Sequence, residues 1–229
     1  IKNPAWRLID ALKTLRDPSG KILIKNWYNE VKPLSNEDIK ILKSFPFNEV
    51  EFKKEFGIKQ FLGNKKGLVI KKSLAAEPTC NIAGIVSGYH AEGAKTVIPA
   101  EARVKIDFRL VPNMDPKKQE IRLRKHLKSN GFGDIKIKVY HGEAAARTDS
   151  KHPFVSHVTS AASKSFGKYI LSVSSAGTGP MHSFTKILNA PAIAIGSTRV
   201  FSRIHSPNEY TRIDLLNKAT KCMCIILEN

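Results

Sequence analysis

From Ala102 to Val111 the chain alternates. Ala102, Val104, Ile106, Phe108 and Leu110 fall on one side, and Arg103, Lys105, Asp107 and Arg109 on the other. Successive strand residues point to opposite faces, so this pattern predicts a strand with one face in a core and one in water. A half-wetted strand belongs in an antiparallel sheet covered on one side. The same strand is expected to begin near Thr96, with Asn81–Tyr89 as a second strand. A third is expected where Ile135, Ile137 and Val139 alternate with Lys136, Lys138 and Tyr140.

Helices frame these strands. Asn3 followed by Pro4 is a cap with proline in the first turn, and Ala5, Leu8, Ile9, Leu12 and Leu15 recur at helical spacing. Asp17-Pro18-Ser19-Gly20 ends that helix. Ser35 caps another through about Lys43, residues 45–75 read as irregular, and 21–75 as a whole reads as an insertion. Asp115-Pro116 opens a helix that Gly131 closes. Residues 4–140 therefore read as a ferredoxin-like β-α-β-β-α-β unit lacking its first strand. From about Glu143 the pattern becomes helix (Pro153 to Ser165), strand (169–173), glycine turn, helix from Pro180, strand (191–195) and helix (Pro207 to Ile226). That alternation predicts the closing part of an α/β domain with a mostly parallel sheet. The expected class is α/β in the broad sense (α+β), with domains 1–143 and 144–229.

At 229 residues and 41% hydrophobic content the chain can bury a proper core. No apolar run approaches the roughly 20 residues of a membrane helix, so no membrane partner is expected. The chain opens at a helix start with Ile1 and reads as a fragment. Lys+Arg exceed Asp+Glu by 38 to 20, a formal charge of +18. Such a balance suits either a polyanion partner or a simply basic surface. The lysines are scattered and no aromatic-basic RNA motif occurs, so nucleic acid is not expected as a partner. Cys80, Cys222 and Cys224 form no even framework; they read as thiols of a reduced compartment, and hence of the cytoplasm.

Three segments carry candidate chemistry. In His205-Ser206-Pro207-Asn208-Glu209, Ser206 and Glu209 have capping-box spacing, which predicts a helix from Pro207. His205 would then sit at a strand-to-helix edge, where it is either a zinc ligand or a surface histidine beside a capped helix. Gly177-Thr178-Gly179-Pro180 is either an anion-binding turn at a helix start or an ordinary connection. Arg109, on the wet strand face that Thr96 precedes, is either a bidentate carboxylate grip or a solvated charge. His90, His126, His141, His152, His157 and His182 read as structural or surface residues.

In order along the chain, Asn3-Pro4-Ala5, Pro78-Thr79-Cys80-Asn81-Ile82-Ala83-Gly84-Ile85, Lys95-Thr96-Val97-Ile98-Pro99-Ala100, Phe108-Arg109-Leu110-Val111-Pro112, Ala176-Gly177-Thr178-Gly179-Pro180-Met181 and His205-Ser206-Pro207-Asn208-Glu209 resemble one family. It is the metallopeptidase family of carnosinase, cytosolic nonspecific dipeptidase, acetylornithine deacetylase and succinyl-diaminopimelate desuccinylase. The resemblance implies a lid domain that forms a homodimer, inserted in a catalytic domain that holds two zinc or other divalent ions. It implies cleavage of a peptide or N-acyl amino acid by metal-activated water. His205 would be the last metal ligand, Arg109 the grip on the substrate carboxylate, and Gly177, Thr178 and Gly179 the substrate-binding turn. Thr96 would reach the other subunit's site. The remaining metal ligands and the general base are expected upstream of Ile1, so the fragment is expected to be inactive alone. The alternative is a non-catalytic dimerisation or interaction module.

Overall fold

The computed structural model describes residues 1–175, 177, 179–199 and 201–228. Those residues form two compact units, each built from separated pieces of chain.

The first unit comprises 1–33, 60–66 and 76–145. Helix α1 (Pro4–Lys13) starts where the Asn3 side chain accepts a hydrogen bond from the Ala5 N–H, with Pro4 in the first turn, where the missing N–H costs nothing. The strands are β1 (Thr79–Ser87) and β2 (Ala102–Arg109), paired antiparallel with Cys80 opposite Phe108 and Ile82 opposite Ile106. The register shifts between Ile82 and Gly84, so Ala83 is the extra residue of a bulge. Along β2 every second residue is exposed, as the alternation requires. The Asp115 side chain caps α5 (Pro116–Ser129) by accepting from the Lys118 N–H.

Ala11, Leu15, Ile22, Ile24, Trp27, Cys80, Met114 and Leu127 form this unit's core, with the Trp27 and Phe108 rings 4.9 Å apart. Burial pushes the Cys80 thiol up to about 11, so it stays protonated and inert. Arg122 forms a two-pronged pair with Glu30, its Nη2 2.6 Å from Oε1.

The first helix, the hairpin of β1 and β2 and the helix after Asp115 match the sequence reading. The proposed third strand does not pair. Residues 135–139 carry no ladder, although Ile135 and Ile137 still pack on the core while Lys136 and Lys138 face out. The side-chain pattern is met there, but no strand lies beside it to supply hydrogen bonds. Thr96 falls in the loop before β2, not on the strand. The stretch read as an insertion, 21–75, also divides: Ile22, Ile24 and Trp27 complete the first core, while 34–59 and 67–75 join the second unit.

The second unit comprises 34–59, 67–75 and 146–229. Its helices are α2 (Asn36–Ser44), α3 (Glu49–Glu55), α4 (Leu68–Ala76), whose last residue falls in the first unit, α6 (Pro153–Phe166) and α7 (Ile213–Glu228). Ser35 and Asp38 make a capping box at the start of α2. The His152 ring caps α6 by accepting from the Phe154 N–H. The His157 ring reaches the Ile226 carbonyl of α7 at 3.1 Å, tying α6 to α7. A small core gathers Ile41, Leu42, Ala75 and Val173.

The mixed helix-and-strand class stands, but no parallel sheet forms among the described residues, whose one sheet is the β1–β2 pair. Residues 169–173 and 191–195 have no ladder. In the second of these the Thr148 hydroxyl substitutes for a neighbouring strand, donating to the Ala192 carbonyl and accepting from its N–H. No helix among the described residues is long and apolar enough to cross a membrane.

Candidate functional site

In β2 the period of two that buries Phe108 necessarily turns Arg109 to water. The strand ends there, and the Arg109 Nε lies 3.1 Å from the Asp107 carboxylate, two residues back on the same face. Both side chains are about half exposed, so the pair is screened by solvent. Thr96 lies in the exposed loop between the strands, where the Val97 N–H turns back to the Lys95 carbonyl.

In the second unit the glycine turn follows an extended segment ending at Ser175. The Gly177 N–H donates to the Ser175 hydroxyl at 3.1 Å, so it is already engaged, and Gly177 and Gly179 are both exposed. Thr178 lies outside the described residues. The helix expected from Pro180 is corrected to one short turn that passes into a π-helical segment, Ser183–Ile187. Wider π hydrogen bonding does not continue the regular ladder, so the turn is not the start of a long helix.

The segment around His205 also differs from expectation. No helix begins at Pro207; α7 begins at Ile213. The Ser206–Glu209 capping box does not form, and the Glu209 carboxylate instead accepts from the His205 N–H at 3.3 Å. The reason is the backbone. Arg203, His205 and Asn208 have φ of 57°, 62° and 61°, left-handed values that a right-handed helix cannot contain. Two further bonds close this turn, from the Ser206 N–H to the Arg203 carbonyl and from the Tyr210 N–H to the Ser202 carbonyl. The Ser202 hydroxyl, almost wholly buried, accepts from the Arg199 N–H. His205 is thus an exposed imidazole on a tied, strained turn. Three non-glycine residues held left-handed within six positions are costly, and such strain persists mainly where function needs it.

One imidazole does not hold a metal ion. Zinc sites use three or four donors, and among the described residues no three His, Cys, Asp or Glu side chains gather as a metal site. The His126 ring bonds to the Thr14 hydroxyl at 3.0 Å, and burial lowers its pKa from the ordinary value.

The sequence reading missed an aromatic cluster. Residues 45–75 appeared irregular, yet Asn48 caps α3, whose Phe52 meets Phe47, Phe56 and the distant Phe201. The four-residue spacing of Phe52 and Phe56 behind an Asn cap was the available signal.

Residues 1–134 match the peptidase dimerisation domain of the M20 type. An M20 family metallo-carboxypeptidase from Sulfolobus solfataricus superposes on the whole chain with a TM-score of 0.92 and 34% identity, over 52% of its own length. A Cys-Gly metallodipeptidase from Saccharomyces cerevisiae is 29% identical over 95% of this chain and 46% of its own length. The human beta-Ala-His dipeptidase is 32% identical over 56% of this chain and 25% of its own. The chain therefore spans about half the length of these relatives or less.

Proposed function

The chain belongs to the M20 metallopeptidases, and from that premise we propose that it supplies the lid and the closing catalytic segment of an enzyme cleaving a peptide or N-acyl amide bond. The observation that carries this reading is the superposition of the entire chain on about half of a metallo-carboxypeptidase. Residues 1–143 would be the dimerising lid and residues 144–229 the end of the catalytic domain.

In this reading His205 contributes one zinc ligand. When bound, a zinc pair supplies an activated water and a polarised carbonyl. The role of this chain's own residues is positioning. Arg109 holds the terminal carboxylate of the substrate by a bidentate pair, fixing the scissile bond and converting loose encounter into a set geometry. Gly177, Thr178 and Gly179 flank the bound peptide, and Thr96 completes the site of the partner subunit. The enzyme would work in the cytoplasm, where Cys80, Cys222 and Cys224 stay reduced; all three are free thiols.

The test compares this 229-residue chain with the full-length protein, each incubated with zinc and a panel of dipeptides. Hydrolysis by the full-length protein alone is the expected result. Turnover by the chain alone would refute the assignment of His205 to a site it cannot complete. Absence of turnover in both would favour the second reading, a non-catalytic dimerisation module. That reading is supported by the lack of two further donors beside His205 among the described residues.

A further inference from the structure

The aromatic cluster of the second unit has no part in the mechanism above. The Phe52 and Phe56 rings are 4.5 Å apart, and Phe47 closes one side of Phe52 at 5.3 Å. Phe201 joins from far along the chain, 6.4 Å from Phe52 and 6.3 Å from Phe56. These separations are those of packed aromatic pairs. The cluster is nonetheless open, because Phe56 is 55% exposed while Phe52 and Phe201 are half-buried. An aromatic face left in water gains by being covered with apolar surface.

The position of Phe201 says what covers it. Phe201 opens the strained turn that carries His205. Four residues of chain reach at most about 14 Å even when extended. Here they are drawn in by the bonds from Ser206 N–H to Arg203 O and from Tyr210 N–H to Ser202 O. The Phe201 backbone, which carries one of the three rings, is therefore held within about 14 Å of the His205 backbone.

Resting on the metallopeptidase reading, we propose that Phe52, Phe56 and Phe201 form a side-chain subsite beside His205. The substrate it selects carries an uncharged apolar or aromatic side chain next to the scissile bond. A glycine would leave the face wet.

The experiment measures kcat/KM of the full-length protein with zinc on Phe-Gly, Gly-Phe, Gly-Gly and Lys-Gly. One of the two phenylalanine peptides should exceed Gly-Gly by about tenfold or more, the size expected when roughly half a ring is taken from water. Phe56→Ala, at a position exposed enough for the variant to fold, should cut that ratio about fivefold. Phe201→Leu, which keeps bulk but removes the ring, should cut it less. Val50→Ala, on the same helix and 78% exposed, should leave the ratio as it is. A ratio near one, a ratio indifferent to Phe56→Ala, or a preference for Lys-Gly would overturn the subsite while Gly-Gly hydrolysis upholds the metallopeptidase reading. No hydrolysis of any of the four peptides would overturn both.

Discussion

Asp38 is 2% exposed and survives as an anion only through its partners. Burial alone would raise its pKa, but the Ser35 N–H and hydroxyl, Arg147 and the Ser150 hydroxyl outweigh that and hold it below the ordinary carboxylate range. The bonds run 3.1 Å from Ser35 N, 3.1 Å from Ser150 Oγ and 3.3 Å from Arg147 Nη2. A depressed folded pKa contributes stability that is present above the unfolded value, near 3.9, and is lost as pH falls through the folded value. Asp38→Asn should therefore cost about 2 kcal/mol at pH 7, where a charged acceptor is lost from a buried network. The deficit should shrink as pH falls below about 4, because the unfolded carboxyl takes up its proton there while the folded one does so only at still lower pH. Urea unfolding at pH 7 and at pH 2.5 measures this, and an equal deficit at both would show that charge is not what Asp38 contributes. Arg109 makes a different prediction, since its exposed pair with Asp107 contributes little to folding. In the full-length protein Arg109→Ala should raise KM for carboxylate-ended peptides by about tenfold or more, the usual loss when one partner of a charge-assisted pair is removed. Its thermal unfolding should match the wild type. Unchanged KM in steady-state kinetics would remove the proposed grip.

Among the elements, α5 depends most plainly on its cap. Asp115 accepts from the Lys118 N–H at 3.0 Å, and Pro116 opens the helix without losing a needed donor. Asp115→Ala should cost about 1 kcal/mol. That corresponds to a fall in Tm of about 2–4 °C for a chain of this size, read by calorimetry. Caps of this kind were legible because their chemistry is local, and the Asn3, Ser35 and Asp115 caps all stand where the residues placed them. The β1–β2 hairpin was legible because one strand alternates so cleanly that only one face can be dry. Residues 135–139 show where that reasoning stops. Periodicity reports which side chains face a core, and Ile135 and Ile137 do face it, but a ladder needs a neighbour that the pattern cannot guarantee. The turn at His205 was misread for a related reason. Ser206 and Glu209 have a helix start's spacing, yet His205 and Asn208 adopt left-handed backbone, which the closing bond from Tyr210 to Ser202 imposes from outside the motif. The imidazole itself was identifiable; its geometry was not.

At the scale of the molecule, the question is what a second copy would cover. Ile82 and Ile85 lie opposite Ile106 and Val104, on the apolar side of the hairpin, yet are 54% and 53% exposed. Their strand outruns the core packed against it, leaving an apolar overhang of the kind that marks an association surface. A formal charge of +18 works against pairing of two copies, because like charges repel. A homodimer must then be held by apolar burial, and salt should strengthen it by screening that repulsion. Sedimentation equilibrium should find a species of twice the 25.5 kDa chain mass, more populated at high ionic strength than at low. Ile85→Lys both removes apolar surface and adds like charge, so it should weaken the dimer about tenfold or more, while the exposure of residue 85 spares the fold. If Ile85→Lys sediments as the wild type does, or if salt dissociates the dimer, the contact is not built on this overhang and rests instead on other pairs within the dimerisation-domain match, residues 1–134.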